Sequence, residues 1–236
     1  MTLKVGSLFS GIGGLDLGLE RAGMEIVWHS EIDEYASKVL KKHWPEVPNH
    51  GDIKRIDFRN VEPVDVICGG YPCQPFSLAG VRKGTDDPRH LWPWVRDAIS
   101  VLRPKFAILE NVRGHITLGG TTVIGELASI GYDAEWSVIS AAGLGAPHRR
   151  ERIIILAYPS SGVMALDRPS KDPSTESRRW NVDRATGERF VQWWENEPSV
   201  PRMADGIPHR LDRLKGLGNA VVPQMGEYIG RLITNG

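Results

Sequence analysis

A chain of 236 residues, 41% hydrophobic and 25% charged, suits one globular domain with at most a small appendage. No apolar run approaches the ~18 residues of a membrane span, and the opening MTLKVGSLFS lacks the order of a secretion signal, so a cytoplasmic protein is expected. Zero formal net charge disfavours a uniformly basic nucleic-acid coat, and the two cysteines, Cys68 and Cys73, make neither a disulfide framework nor a zinc-ligand pattern.

In chain order, residues 3–9 read as a short apolar strand running into a glycine-rich turn and a helix over 15–22. A strand over 25–31 and a helix over 34–43 follow, with Asp52 near the expected third strand. The apolar runs 64–68 and 106–109, flanked by Pro or Gly, suit strands buried on both faces, and helices over 91–102 and 122–130 fit between and after them. Residues 133–140 and 152–157 are expected to pair as the last two strands. Strands alternating with helices, without an internal repeat, predict an α/β domain on a mostly parallel sheet. After Ala157 the chain turns rich in Pro, Ser, Arg and Asp without a sustained period, although Trp180, Trp193 and Trp194 set it apart from a simple linker. Order returns near residue 210, where an Asn-Ala-Val-Val-Pro turn leads into a helix. The expected organisation is one domain from 1–157 and 210–236, with 158–209 as a small irregular insertion.

Five segments carry chemistry. In SLFSGIGGLDLGLERAG (residues 7–23) a strand ends in a loop with Gly11, Gly13 and Gly14 before a helix begins. Such a loop lets backbone approach a ligand, and the helix N-terminus offers unpaired N–H groups to a carboxylate or phosphate. Its spacing departs from the dinucleotide fingerprint G-x-G-x-x-G, which disfavours a nicotinamide cofactor. Glu31, ending the second strand, is placed to accept hydrogen bonds from ribose hydroxyls, and Asp52 to reach an adenine amine. Taken alone, the same residues equally describe a tight turn beside solvated acids.

CGGYPCQPFSLAG (residues 68–80) is more specific. A strand opens into a loop that holds Cys73 between Pro72 and Gln74-Pro75, at the sheet edge where ligand crevices form. Cys68 reads as a small buried hydrophobe and Cys73 as a nucleophile, which needs cationic or helix-terminal help to ionise near neutral pH. FAILENVRG (residues 106–114) delivers Glu110 to the same edge, a candidate general acid if burial raises its pKa. In GAPHRRERIIILA (residues 145–157) Arg150 and Arg152 alternate, so both are expected to point the same way, either into the pocket or as a basic cap on a buried strand. RLKGLGNAVVPQMGEYIGRLI (residues 213–233) places a Gly-Asn-Ala-Val turn before a helix opened by Pro223.

Together, and in this order, the segments resemble the DNA cytosine-5 methyltransferase family: SLFSGIGG its cofactor loop, GGYPCQPFS its nucleophile loop, ENV its acid motif, HRRER its Gln-x-Arg-x-Arg motif, and LGNAVVP its C-terminal cofactor motif. The resemblance implies a Rossmann-like S-adenosylmethionine-dependent methyltransferase fold, with helices on both faces of the sheet and 158–209 as a reduced target-recognition region. It implies S-adenosyl-L-methionine, leaving as S-adenosyl-L-homocysteine, near Phe9, Gly11, Gly13, Gly14, Leu15, Glu31, Ile32, Asp52 and Pro72, with Asn219, Ala220 and Val221 closing the site. By the same resemblance Cys73 adds to C6 of a cytosine flipped out of the duplex, Glu110 contacts N3 and the exocyclic amine, and Arg152 and Arg150 stabilise charge. Gln74 and Ser77, with Arg178, Arg179, Arg184 and Arg189 of the insertion, are the expected DNA contacts. Double-stranded DNA is the expected partner, with no membrane and no metal. A monomer suffices, and a cognate restriction endonuclease is the expected companion if the chain serves a restriction–modification system.

Two departures stand out. His148 replaces the family's usual Gln, and the interval before LGNAV is short for a recognition domain, too short to build a substantial core of its own. The alternatives are a tRNA cytosine-5 methyltransferase, disfavoured by the lack of a Cys-Phe-Thr signature, and a non-catalytic remnant, disfavoured by Cys73, Glu110 and Arg152 occurring together.

Overall fold

The computed structural model describes residues 1–72, 91–115, 119–146, 148, 150–160, 216 and 220–235. Among them six strands form one sheet: β1 (Lys4–Leu8), β2 (Glu25–Ser30), β3 (Val66–Gly69), β4 (Phe106–Val112), β5 (Tyr132–Ser140) and β6 (Glu151–Pro159). Their order is β2-β1-β3-β4-β6-β5. β1 pairs in parallel with β2 and β3, and β3 with β4, whereas β6 lies antiparallel to both β4 and β5. β5 therefore runs with the parallel set, and β6 is the one described strand reversed against it.

The helices are α1 (Gly14–Arg21), α2 (Glu34–His43), α3 (Trp92–Leu102), α4 (Thr121–Ser129) and α5 (Pro223–Asn235). Strand alternation divides the core into two layers. Val66, Cys68, Ile108 and Ile154 point to one face, where they pack with Leu15 and Leu19 of α1 and Met225 and Ile229 of α5. Ile67, Ala107, Leu109 and Ile153 point to the other, against Val95 and Ile99 of α3 and Val123 and Leu127 of α4. Burial on both faces explains why these strands are continuous apolar runs and not alternating ones. The result is the expected Rossmann-like α/β architecture, with helices on both sides. α5 packs on α1, so the end of the described chain returns to the glycine turn near its start.

Local chemistry fixes the element ends. Asp33 caps α2, its carboxylate accepting from the Ala36 N–H at 3.0 Å, and Lys41, Lys42 and His43 oppose the dipole in the last turn. Between α2 and β3 a single parallel bridge joins His29 to Asn49. Pro48 has no N–H to offer a ladder and Gly51 turns at φ 72, after which Asp52 caps a short 3-10 helix, Ile53–Arg55. β4 extends beyond the expected residue 109 to Val112, because β6 supplies it with antiparallel partners, Asn111 to Ile153 and Val112 to Arg152.

Candidate active site

A cavity of about 430 Å³ opens at the carboxyl ends of β1 to β4, the edge where parallel sheets bind ligands. Its first wall is the turn after β1. Phe9 holds φ 52, a left-handed conformation uncommon for a residue with a side chain, and its N–H donates to the Ser30 carbonyl at 2.8 Å. Gly13, the N-cap of α1, provides no side-chain cap, which leaves first-turn N–H groups for an anionic ligand. A Cβ on Gly14 would run into the Val221 carbonyl oxygen, so this close approach requires glycine. Ala220 and Val221, just ahead of α5, thereby cover the start of α1 and line the cavity.

Glu31 anchors the second wall. One carboxylate oxygen accepts from the Gly11 N–H and the other from the Asp33 N–H, each at 2.7 Å. Asn49 holds the Glu31 backbone from both sides, donating to its carbonyl at 3.0 Å and accepting from its N–H at 2.9 Å. The carboxylate is thus tied to the glycine turn while its remaining lone pairs face the cavity. Ile32, 72% exposed, offers an apolar surface beside it, and Asp52 and Ile53 complete that end.

The opposite wall carries Glu110. It lies on β4 one pleat from Val112, which pairs with Arg152 on β6, so Arg152 reaches Glu110 diagonally. Arg152 Nε stands 2.7 Å from Glu110 Oε1, with both side chains largely buried. Burial raises the Glu110 pKa above the ordinary carboxylate value, against the opposing pull of Arg152 and Arg150. A Cβ on Gly70, just after β3, would stand 2.5 Å from Glu110 Oε2, so glycine there is what lets the acid sit against the end of β3. Burial also lowers the Arg150 pKa.

Phe9, Gly11, Gly14, Leu15, Glu31, Ile32, Asp52, Pro72, Ala220 and Val221 all line the same cavity as Glu110 and Arg152. Gly13 does not; Trp44 packs directly against it, and both line a neighbouring hollow. Arg150 lines that same hollow with His148, while its charge still acts on Glu110 and Arg152. Cys73, Gln74, Ser77, Asn219, Arg178, Arg179, Arg184 and Arg189 lie outside the described residues, as does the insertion beyond Ser160. Cys68 is fully buried, and that burial pushes its thiol pKa well up, which suits packing and not attack. Among the described residues no helix is long and apolar enough to cross a membrane, and no three His, Cys, Asp or Glu side chains gather as a metal-holding group.

Sequence reasoning missed Tyr71 and His115. The Tyr71 hydroxyl and His115 Nε2 lie 2.7 Å apart, both buried, and Asn111 Nδ2 donates to the Tyr71 carbonyl at 3.1 Å. Tyr71 was visible inside the loop motif, but no spacing links it to His115.

Comparisons with known proteins point to one family. The family model for C-5 cytosine-specific DNA methylase matches residues 3–196. The chain is 36% identical over 178 residues to the Type II methyltransferase M.BsuFI of Bacillus subtilis, covering 72% of this chain and 42% of that protein. It is 32% identical over 223 residues to the orphan methyltransferase M.SPRI of Bacillus phage SPR, covering 89% and 51%. A solved structure of a candidate DNA modification methyltransferase, encoded within an E. coli prophage, superposes with a TM-score of 0.58 at 31% identity, over 68% of this chain and 47% of that one. The chain therefore spans about half the length of the curated relatives it matches.

Proposed function

The chain belongs to the C-5 cytosine-specific DNA methylase family, and from that premise we propose that it methylates C5 of a cytosine flipped out of double-stranded DNA, using S-adenosylmethionine and a covalent bond from Cys73 to C6. The observation that carries this reading is one cavity whose two ends suit the two reactants: the Gly11–Glu31 link at one and the Glu110–Arg152 pair at the other.

The residues present fit the cofactor. The uncapped start of α1 suits the carboxylate of its amino-acid part. Glu31 suits the ribose hydroxyls, and Ile32 and Asp52 suit the adenine face and amine. Phe9, Leu15 and Pro72 supply apolar wall, Ala220 and Val221 form the closing side, and Asn219 is the proposed third cofactor contact beside them in sequence. When bound, S-adenosylmethionine supplies the electrophilic methyl group that C5 takes.

The chain's own groups do the rest. The Cys73 thiolate forms a bond to C6, and the electron pair of the C5–C6 double bond moves to C5, conjugated with N3. Glu110, whose carboxyl is held above its ordinary pKa, donates a hydrogen bond or proton at N3 and steadies the resulting enamine. Arg152 fixes the orientation of Glu110 and balances charge at the pocket, and Arg150 adds positive potential from the neighbouring hollow. After C5 is methylated, a base removes its proton, the pair re-forms the double bond, and the C6–S bond breaks to return the thiolate. C6 is unreachable inside a stacked duplex, so the cytosine must leave the helix. Gln74, Ser77 and the arginines Arg178, Arg179, Arg184 and Arg189 are the proposed DNA contacts, with 158–209 as a reduced recognition region. A DNA substrate places the protein in the cytoplasm of a bacterial or phage-infected cell.

The test is DNA carrying 5-fluorocytosine. Fluorine at C5 cannot leave as a proton does, so the adduct persists and appears as a protein–DNA species resistant to denaturing electrophoresis. The expected result is an adduct with the unaltered protein and cofactor, and none with Cys73→Ala. An adduct that survives in Cys73→Ala overturns the assignment of the nucleophile, and no adduct from cofactor-binding protein overturns the reaction.

A further inference from the structure

We propose that Tyr71 and His115 are positioning residues for this reaction, holding the exit of β3 against the segment that carries Glu110 and so fixing the approach of the nucleophile loop to the acid. The inference rests on the reading above and deepens it. Tyr71 stands two residues before Cys73, separated from it by Pro72 alone, whose ring restricts the backbone on both sides. Whatever fixes Tyr71 therefore constrains where the next residues begin.

Three contacts tie this short stretch to residues 110–115. Gly70 abuts Glu110 Oε2. The Tyr71 carbonyl accepts from Asn111 Nδ2 at 3.1 Å, and the Tyr71 hydroxyl meets His115 Nε2 at 2.7 Å. Both side chains of the last pair are buried, at 4% and 2% exposure, so the hydrogen bond is shielded from water. The rings meet edge to face with centroids 5.4 Å apart, and Trp92 of α3 lies 5.4 Å from Tyr71 on another side, so the phenol is fixed by packing as well as by its hydroxyl. A Phe at position 71 would keep all of that packing. The hydroxyl adds a directional tie between the stretch leading to the nucleophile and the segment bearing the acid. The cofactor end of the cavity, built from β1, β2 and the start of α1, shares no part of this tie.

The experiment compares the unaltered protein with Tyr71→Phe, His115→Phe, the double variant and His115→Gln. It measures single-turnover transfer of labelled methyl from S-adenosylmethionine to plasmid DNA from a methylase-free host, with the dissociation constant of S-adenosylhomocysteine measured in parallel. Each Phe variant is expected to slow transfer about tenfold, as loss of one buried hydrogen bond implies, while cofactor affinity stays within about twofold. The double variant is expected to be no slower than the worse single one, because both remove the same interaction. His115→Gln, which keeps a side-chain polar group able to meet the hydroxyl, is expected to recover most of the rate. Transfer at the unaltered rate in Tyr71→Phe, multiplying losses in the double variant, or a change confined to cofactor affinity would overturn the inference. Absence of transfer by the unaltered protein would instead overturn the functional reading beneath it.

Discussion

Arg152 on β6 and Glu110 on β4 meet at 2.7 Å although neither is the other's direct partner across the strands. The reversal of β6 makes this possible, because only an antiparallel neighbour brings the residue after Glu151 back beside the end of β4. The acid is thus held by a cation from a segment more than a strand's length away in sequence. Burial raises its pKa while the guanidinium restrains the rise, leaving a carboxyl oriented by one oxygen and free to serve at the cavity with the other.

Removing that cation strands a buried acid. Arg152→Ala is expected to lower methyl transfer about 100-fold, in the range seen when one charge-stabilising donor is lost, and to lower the thermal midpoint as well. Arg152→Lys is expected to recover stability better than rate, because an ammonium lacks the planar fork that fixes the carboxylate. Transfer rates and melting curves of the two variants check this.

Gly70→Ala introduces a methyl group 2.5 Å from Glu110 Oε2, so either the carboxylate or the loop must shift. The expected outcome is a loss of transfer of about tenfold or more with a smaller change in cofactor affinity, since a small misplacement at the reacting groups is costly. Single-turnover rates beside calorimetric titration with S-adenosylhomocysteine decide it.

Glu31→Ala removes the acceptor for the Gly11 and Asp33 N–H groups and the proposed partner of the ribose. Cofactor affinity is expected to fall about 10- to 100-fold, the range for losing hydrogen bonds to a charged group. Titration with S-adenosylhomocysteine measures it directly.

Burial lowers the His115 pKa to about 4. The folded state therefore resists protonation that the unfolded chain accepts near pH 6.5. Stability from this group is complete above pH 6.5 and declines as pH falls toward 4, by about 3 kcal/mol if the whole shift is realised. His115→Phe is expected to flatten that part of the decline. Urea midpoints of both proteins at pH 7 and pH 4.5 test the difference, and equal declines would contradict it.

The parallel half of the fold was legible because its strands are buried on both faces; α2 over Glu34–His43, capped by Asp33, matches the pattern closely. The glycine turn, Glu31 and Glu110 were legible because short motifs keep backbone and acid together in sequence. What escaped depends on tertiary pairing. Arg150 opens onto a neighbouring hollow, which its spacing from Arg152 does not show. The buried contacts Tyr71–His115 and Asp16–His29, the latter at 3.3 Å, join positions that no periodicity relates.

The most direct measurement is base-resolution cytosine-methylation sequencing of DNA from a methylase-free bacterial host expressing this protein, beside a Cys73→Ala control. The predicted result is C5 methylation confined to one short sequence motif and absent from the control. Unmethylated DNA despite folded, cofactor-binding protein, or the same methylation in the control, would contradict the proposed reaction.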